Sequence, residues 1–438
     1  MSYKKLKIKK MKKRGLFVIA GLAMVSPVSA QAAADTLRMS LADCIEYAID
    51  HNYGREGVRL NEDAKKSVYE QSKMERLPDV SATLNEGVGH TSGTDAAWNG
   101  SYEVNAGVVL FQGGQISENI RQNRLSLEQS AHKTKQYDNE LVIRVLQTFL
   151  TAIGNDELLK YRQALLAASE EQLNQGRVRR QAGEILESDF LLLEAQWVSD
   201  RNEVATAIIN KDNNLLEMKN LLAINLLQPL TLIYPDDEAI AAMTAMPALD
   251  AFMEQAVNTL PDFRISDYEV EIAETGLKIA RSAYYPTLSL GGSIGTGHST
   301  FSGYGTQLSD RFNQQVGLTV SIPLFDKFKT KSNVRRSTIA LQQTQLENRQ
   351  TTQNLQQTLL TEYSNTAIAE KQFETDRVKQ NAYSQSFEAH RAKFNAGAIT
   401  AVELLQQQNN YINALNDYIR SKYGFMLKRR VLDVYMGK

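Results

Sequence analysis

Two stretches of the chain place a carboxylate at the same distance from a glycine. They are Ala182-Gly183-Glu184-Ile185-Leu186-Glu187-Ser188-Asp189-Phe190-Leu191 and Ala396-Gly397-Ala398-Ile399-Thr400-Ala401-Val402-Glu403-Leu404-Leu405, so that Asp189 follows Gly183 by six residues and Glu403 follows Gly397 by six. A glycine there can end one helix in the left-handed conformation and reverse the chain. An acid six residues on falls at the start of the next helix, where Asp189 would cap the terminus and Glu403 would be a solvated first-turn acid. No catalytic set accompanies them. The five histidines, His51, His90, His132, His298 and His390, never form HExxH or a spaced ligand pair, and no GxxxxGK occurs. The stretch Gly291-Gly292-Ser293-Ile294-Gly295-Thr296-Gly297 has the look of a dinucleotide loop, but it falls in a strand-like segment with no helix opening after it. One cysteine excludes a disulfide framework and a Cys-based zinc site. The sequence therefore reads as that of a protein that is not an enzyme, with no cofactor and no bound metal.

The elements that must position these residues follow from the breakers. The eight prolines include none between Pro78 and Pro229 and none after Pro323, and glycine is sparse within those intervals from Gln115 to Asn225 (Gly154, Gly176 and Gly183) and from Phe328 onward (Gly397, Gly424 and Gly437). Those intervals are rich in Gln, Glu, Leu, Ala and Arg, all good helix formers. Long helices are expected at about 114–175, 186–225, 328–394 and 400–435. Apolar residues such as Leu141, Val145, Phe149 and Ala152 form a narrow stripe on an otherwise polar surface, the pattern of helices packed side by side in a hollow coiled-coil wall. Laid over each other, the two halves match at an offset of 208 (Leu41 on Leu249, Pro78 on Pro286, Gly89-His90 on Gly297-His298). Further on they match at an offset of 214 (Leu110-Phe111 on Leu324-Phe325, Ala182-Gly183 on Ala396-Gly397). The chain is an internal duplication. The divisions are a first repeat at 35–228, a linker at 229–248 and a second repeat at 249–438.

Each repeat carries two alternating segments, expected as strands at about 79–90, 101–111, 287–297 and 313–323. Tyr102, Val104, Ala106, Val108 and Leu110 alternate with Glu103, Asn105, Gly107 and Val109. Strands of about ten residues with one apolar and one polar or small face suit either a half-buried soluble hairpin or a membrane-spanning barrel. Four strands cannot close a barrel, and hydrocarbon tolerates no open sheet edge, so closure in a membrane needs several copies. Two, three or four chains would give about 8, 12 or 16 strands, within the range of known barrels. His90 and His298 are equivalent in the two repeats and are expected as plain loop residues at the outer mouth, a metal ring being the alternative.

The charge distribution supplies the compartment. The sequence of 438 residues has 49 basic and 50 acidic side chains, but eight of the basic ones lie in residues 1–34, which contain no acid. That segment, basic, then apolar from Leu16 to Val25, then small residues, reads as a signal peptide cleaved within 30–34. The remainder has 41 basic and 50 acidic residues, a net of −9, which argues against nucleic acid as a partner. Cys44, following Asp43 well past the cleavage tract, is expected to pack on the apolar face of a helix with Leu41, Ile45, Ala48 and Ile49. Leader, acidic charge and amphipathic strands point to the outer membrane of a Gram-negative cell.

The order of these parts resembles that of the TolC-like outer-membrane efflux protein family over essentially the whole mature chain. The resemblance rests on Ser40-Leu41 opening the first helix and Asn52 closing it, on Leu77-Pro78 and Tyr285-Pro286, on Leu110-Phe111-Gln112-Gly113-Gly114 and Ile322-Pro323-Leu324-Phe325-Asp326, and above all on the duplicated Ala-Gly turns. It implies a mainly α fold with a transmembrane β-barrel portion: a homotrimer giving one 12-stranded barrel among outer-membrane lipid and a long α-helical coiled-coil tunnel in the periplasm. It also implies a periplasmic adaptor and an inner-membrane pump of RND or ABC type as partners. The tips of the two turns would close the resting tunnel, with Asp189 and Glu403 forming carboxylate rings that attract cations. Where the best-known members carry a further acid, this chain has Gln406, implying a weaker charge gate. Gly183, Ile185, Gly397 and Ile399 would dock the adaptor. The function implied is an exit channel for small molecules, with protein secretion of type I as the alternative and a barrel-anchored structural coiled coil as the more distant one.

Overall fold

In the computed structural model, residues 36–90, 97–234, 246–300 and 302–437 are described. The expected signal peptide and the middle of the 229–248 segment lie outside them. The elements are β1 (Leu37–Met39), α1 (Leu41–His51), α2 (Tyr53–Met74), β2 (Asp79–Gly89), β3 (Ala97–Gln112), α3 (Gln115–Gln181), α4 (Glu187–Leu221) and β4 (Leu230–Leu232). They continue with α5 (Leu249–Thr259), α6 (Pro261–Ser282), β5 (Thr287–His298), α7 (Tyr304–Asp310), β6 (Asn313–Ser321), α8 (Lys329–Asn395) and α9 (Ala401–Tyr435).

The duplication holds element by element. α3 and α8 are both 67 residues and α4 and α9 both 35, while α1 and α5 are 11 and α2 and α6 are 22. A 67-residue helix is about 100 Å long at 1.5 Å per residue. The turn into α3 uses Gly113 and Gly114 at φ 59° and 84°, and the equivalent turn into α8 holds Lys327 and Phe328 at φ 58° and 64°. Side chains in that region cost about 1–2 kcal/mol each, so the second repeat keeps the geometry of the first against strain. α3 passes through Gly176 to Gln181, beyond the glycine at which the sequence suggests it stops. A Cβ at Gly176 would meet Leu193 Cδ1 at 2.7 Å, so that glycine serves the close approach of α3 and α4.

Local chemistry starts the shorter helices. Ser40 and Asp43 form a reciprocal capping box on α1, and the Asn52 side chain accepts from Arg55 N at 3.1 Å to open α2 while its Nδ2 donates to Leu221 O. Cys44 is fully buried on α1, and burial pushes its thiol up to about 12.

The elements form a wall four units wide. One end is the sheet β2-β3-β5-β6, all antiparallel, with a register slip between Val109 and Phe111. Below it α2, α3, α6 and α8 pack in that order, and at the far end α4, α3, α9 and α8 do. α1 packs on α3 and α5 on α8, while β1 and β4 form a two-stranded parallel sheet beside them. A core of Leu141, Val145, Phe149, Ile153 and Leu415 joins α3 to α9, and the stripe read from the sequence is all inside it. Each such side chain contributes roughly 1.5–3 kcal/mol.

Pairing register sorts the sheet into two faces. Val80, Leu84, Val88, Val104, Ile294, Leu290, Val316, Leu318 and Val320 share one; Ser81, Thr83, Asn85, Glu103, Asn105, Ser289, Gly291, Ser293, Gln315, Gly317 and Thr319 share the other. The apolar side chains are uncovered in the single chain, Val316 at 81% and Leu84 at 71% exposure. No helix among the described residues is long and apolar enough to cross a membrane.

Candidate functional site

The far end of the wall is made by two helical hairpins of one design. α3 ends with Gly183 N donating to Arg180 O at 3.0 Å and Glu184 N to Arg179 O at 2.9 Å; α8 ends with Gly397 N donating to Phe394 O and Ala398 N to Lys393 O, both at 2.9 Å. Both are Schellman endings with glycine in the left-handed region, φ 75° and 74°. Three residues later the chain re-enters a helix. The second re-entry is capped by Thr400, whose hydroxyl accepts from Glu403 N at 3.3 Å while Thr400 N donates to Glu403 Oε2 at 3.1 Å. The first has Leu186 at the cap position, with no side-chain oxygen to offer, so Asp189 lies in the first turn of α4 rather than at its cap.

The glycine turns therefore bring the two acids to one end of the wall. Glu403 is exposed and Asp189 half-buried, and neither has an ion-pair partner among the described residues, whereas Glu184 and Glu187 face Arg179 and Arg180 at 3.8 and 3.0 Å. Gln406 is exposed one turn above Glu403. Gly183 and Gly397 are exposed at the turns, but Ile185 and Ile399 pack against the tip core of Leu173, Phe190, Leu193, Phe394 and Leu404. The large apolar side chains left uncovered there include Val178, Leu186, Leu191, Leu192 and Val402. Sequence reading passes over them because isolated apolar residues on a helix carry no motif.

One tie between the hairpins is also missed by sequence. Arg179 Nη1 donates to Phe394 O at 3.0 Å, a second donor to the carbonyl that also accepts from Gly397 N, and its guanidinium lies 5.4 Å from the Phe394 ring centre. The partners are 215 residues apart.

At the opposite end, His298 is not a plain loop residue. It closes β5, is 2% exposed, and its Nε2 lies 3.2 Å from both oxygens of Glu86. Trp98 Nε1 donates to the same carboxylate at 2.6 Å, Tyr102 donates to it, and Tyr304 of α7 covers the imidazole edge-on at 4.9 Å. Gly100 makes room for the pair, since a Cβ there would stand 2.5 Å from His298 Nε2. His90 is exposed just past β2. Among the described residues no three His, Cys, Asp or Glu side chains are grouped to hold a metal.

The sequence matches the outer membrane efflux protein family over residues 57–223 and 253–438. The chain belongs to that family. This efflux protein is 22% identical over 338 residues to the outer membrane efflux protein BepC of Brucella suis biovar 1 (strain 1330), covering 76% of this chain and 70% of BepC. It is 24% identical over 217 residues to the proteases secretion protein PrtF of Dickeya chrysanthemi, covering 48% of this chain and 45% of PrtF. Among solved structures it resembles CusC, with a TM-score of 0.79 at 16% identity over 90% of this chain and 91% of that one. The fold and family are those of channel proteins rather than enzymes. The efflux protein is an outer-membrane channel, with its sheet in the membrane and its helices in the periplasm. The uncovered apolar face of the sheet is what such a location requires.

Proposed function

We propose that three copies of the chain close edge to edge into one duct that carries small molecules from a periplasmic adaptor and inner-membrane pump to the exterior. The observation that carries this reading is the pair of dissimilar open edges: β2 and β6 in the sheet, α2 and α8 below it, α4 and α8 at the tip. Edges of that kind join head to tail, and rotation by a third of a turn closes them into a ring. The four strands then become twelve, and the polar, glycine-rich face of the sheet lines the lumen. The hairpin tips form the gate, with Glu403 and Asp189 as its carboxylates and Gln406 as a neutral ring above. Gly183 and Gly397 shape the surface that meets the adaptor, and Ile185 and Ile399 hold that surface from beneath.

Cargo is chosen by the pump in this reading. The similarity to a protease secretion protein supports a second cargo class, an unfolded polypeptide exported by an ABC-driven system. Purification from membranes with crosslinking tests the assembly: an SDS-resistant trimer carrying a periplasmic adaptor is expected, and a monomer free of adaptor would overturn it. The pump that co-purifies, RND or ABC, separates the two cargo classes.

A further inference from the structure

A carboxylate is buried inside the helical wall well above the tip. Asp200 of α4 is 4% exposed and stands thirteen residues past Glu187, roughly 20 Å up the helix. Gln196 Nε2 donates to its Oδ1 at 2.8 Å, and Gln408 Nε2, from α9, donates to its Oδ2 at 3.2 Å. Ser169 of α3 is within hydrogen-bonding reach, and Arg162 of α3, paired with Glu203 of α4 at 3.5 Å, acts on it through space. Two glutamines of this region are left short of partners: Gln408, 1% exposed, with Oε1 unbonded, and Gln172, 2% exposed, with neither amide atom bonded. Apolar side chains from the same helices, Leu165, Leu173, Leu193 and Leu404, pack beside them. Packing alone would have filled such a place with leucine, because an unsatisfied buried amide opposes folding.

We propose that Asp200 is a positioning residue for the gate, its buried carboxyl joining the hairpin of the first repeat to that of the second through Gln408, so that its protonation sets how firmly the tips are held together. The inference rests on the reading of the tips as the gate.

The sign follows from solvation. Burial raises the Asp200 carboxyl above the usual carboxylate range, against the opposing pull of Gln196, Ser169, Gln408 and Arg162. When the hairpins part, water reaches the carboxyl and its pKa returns toward about 3.9. The packed state therefore binds the proton more tightly. It is held fully below about pH 4 and is weakened as pH rises through the raised value. The charged groups facing Asp200 are Arg162 on α3 and, through it, Glu203 on α4; α9 contributes the uncharged Gln408, and α8 presents Phe387 and Phe394 to the same cluster. Each pKa unit regained on parting changes the ratio of packed to parted hairpins about tenfold.

Spin labels at A182C and A398C in the full-length trimer read the separation of the two turns, Cys44 being buried. The expected result is a short distance at pH 4.5 and a shift of population toward the longer distance at pH 7.5. Asp200→Asn keeps the short distance at both, and Gln408→Leu enlarges the longer population at both. A wild-type distribution indifferent to pH, or an Asp200→Asn protein that responds as the wild type does, would overturn the proposal. The distance is read whether or not the protein conducts. Planar-bilayer current from the same sample tests the channel reading separately, and a pH-dependent distance without current would sink that reading while leaving the tie intact.

Discussion

Glu403 has two jobs that a substitution can separate. Its side chain closes the capping box with Thr400, and its charge is the one the gate reading uses. Glutamine serves a capping box at the same position, so Glu403→Gln removes the charge and leaves the helix start in place. Weaker block of single-channel current by a divalent cation added on the tip side is expected, with unchanged thermal stability; block equal to wild type would take Glu403 out of the gate. Thr400→Ala does the reverse, costing about 1 kcal/mol at the start of α9 while leaving the carboxylate. That both acids fall in the first turn of a helix was legible in the sequence from their spacing to a glycine, while their gate role came from the family resemblance and stays a proposal. Arg179, which ties the two turns, was not, because its partner is a backbone carbonyl that no side-chain pattern announces.

At the scale of elements, the turns store the strain and the helices carry the length. Gly183 and Gly397 are required by φ near +75°, and a Cβ at Gly397 would also stand 3.2 Å from Arg179 Nη2. Alanine at either costs about 1–2 kcal/mol. Hydrogen exchange should show faster opening of the last turn of α3 in Gly183→Ala and of α8 in Gly397→Ala, with the larger effect at Gly397. Equal protection in both variants and wild type would show that the turns do not need glycine, as the turn through Lys327 and Phe328 manages without it. The long helices were readable because proline and glycine gaps are local signals. The short α7 and the β1–β4 pair were not, since three to seven residues give no period to detect.

The whole molecule is an incomplete object by itself. A sheet with the outer edges of β2 and β6 open and valines and leucines uncovered on one face cannot stand alone in a membrane. Cysteine at Ser81 on β2, combined one at a time with cysteine along the polar face of β6 from Asn313 to Ser321, is expected to give a disulfide-linked trimer at one register on a non-reducing gel. Absence of a three-chain band at every position would refute the closure.

The sequence by itself determined which residues share a face, where helices break, and that the whole pattern occurs twice, because side-chain period, proline, glycine and repeat offset are all properties of neighbours along the chain. It could not say which face meets which. That α3 changes partner from α6 to α9 along its length, that Glu86 meets His298 across 212 residues, and that Asp200 meets Gln408 across 208 were decided by packing in three dimensions. Burial turns an ordinary aspartate into a group whose charge depends on whether two hairpins stay together, and burial is a property of the assembled wall.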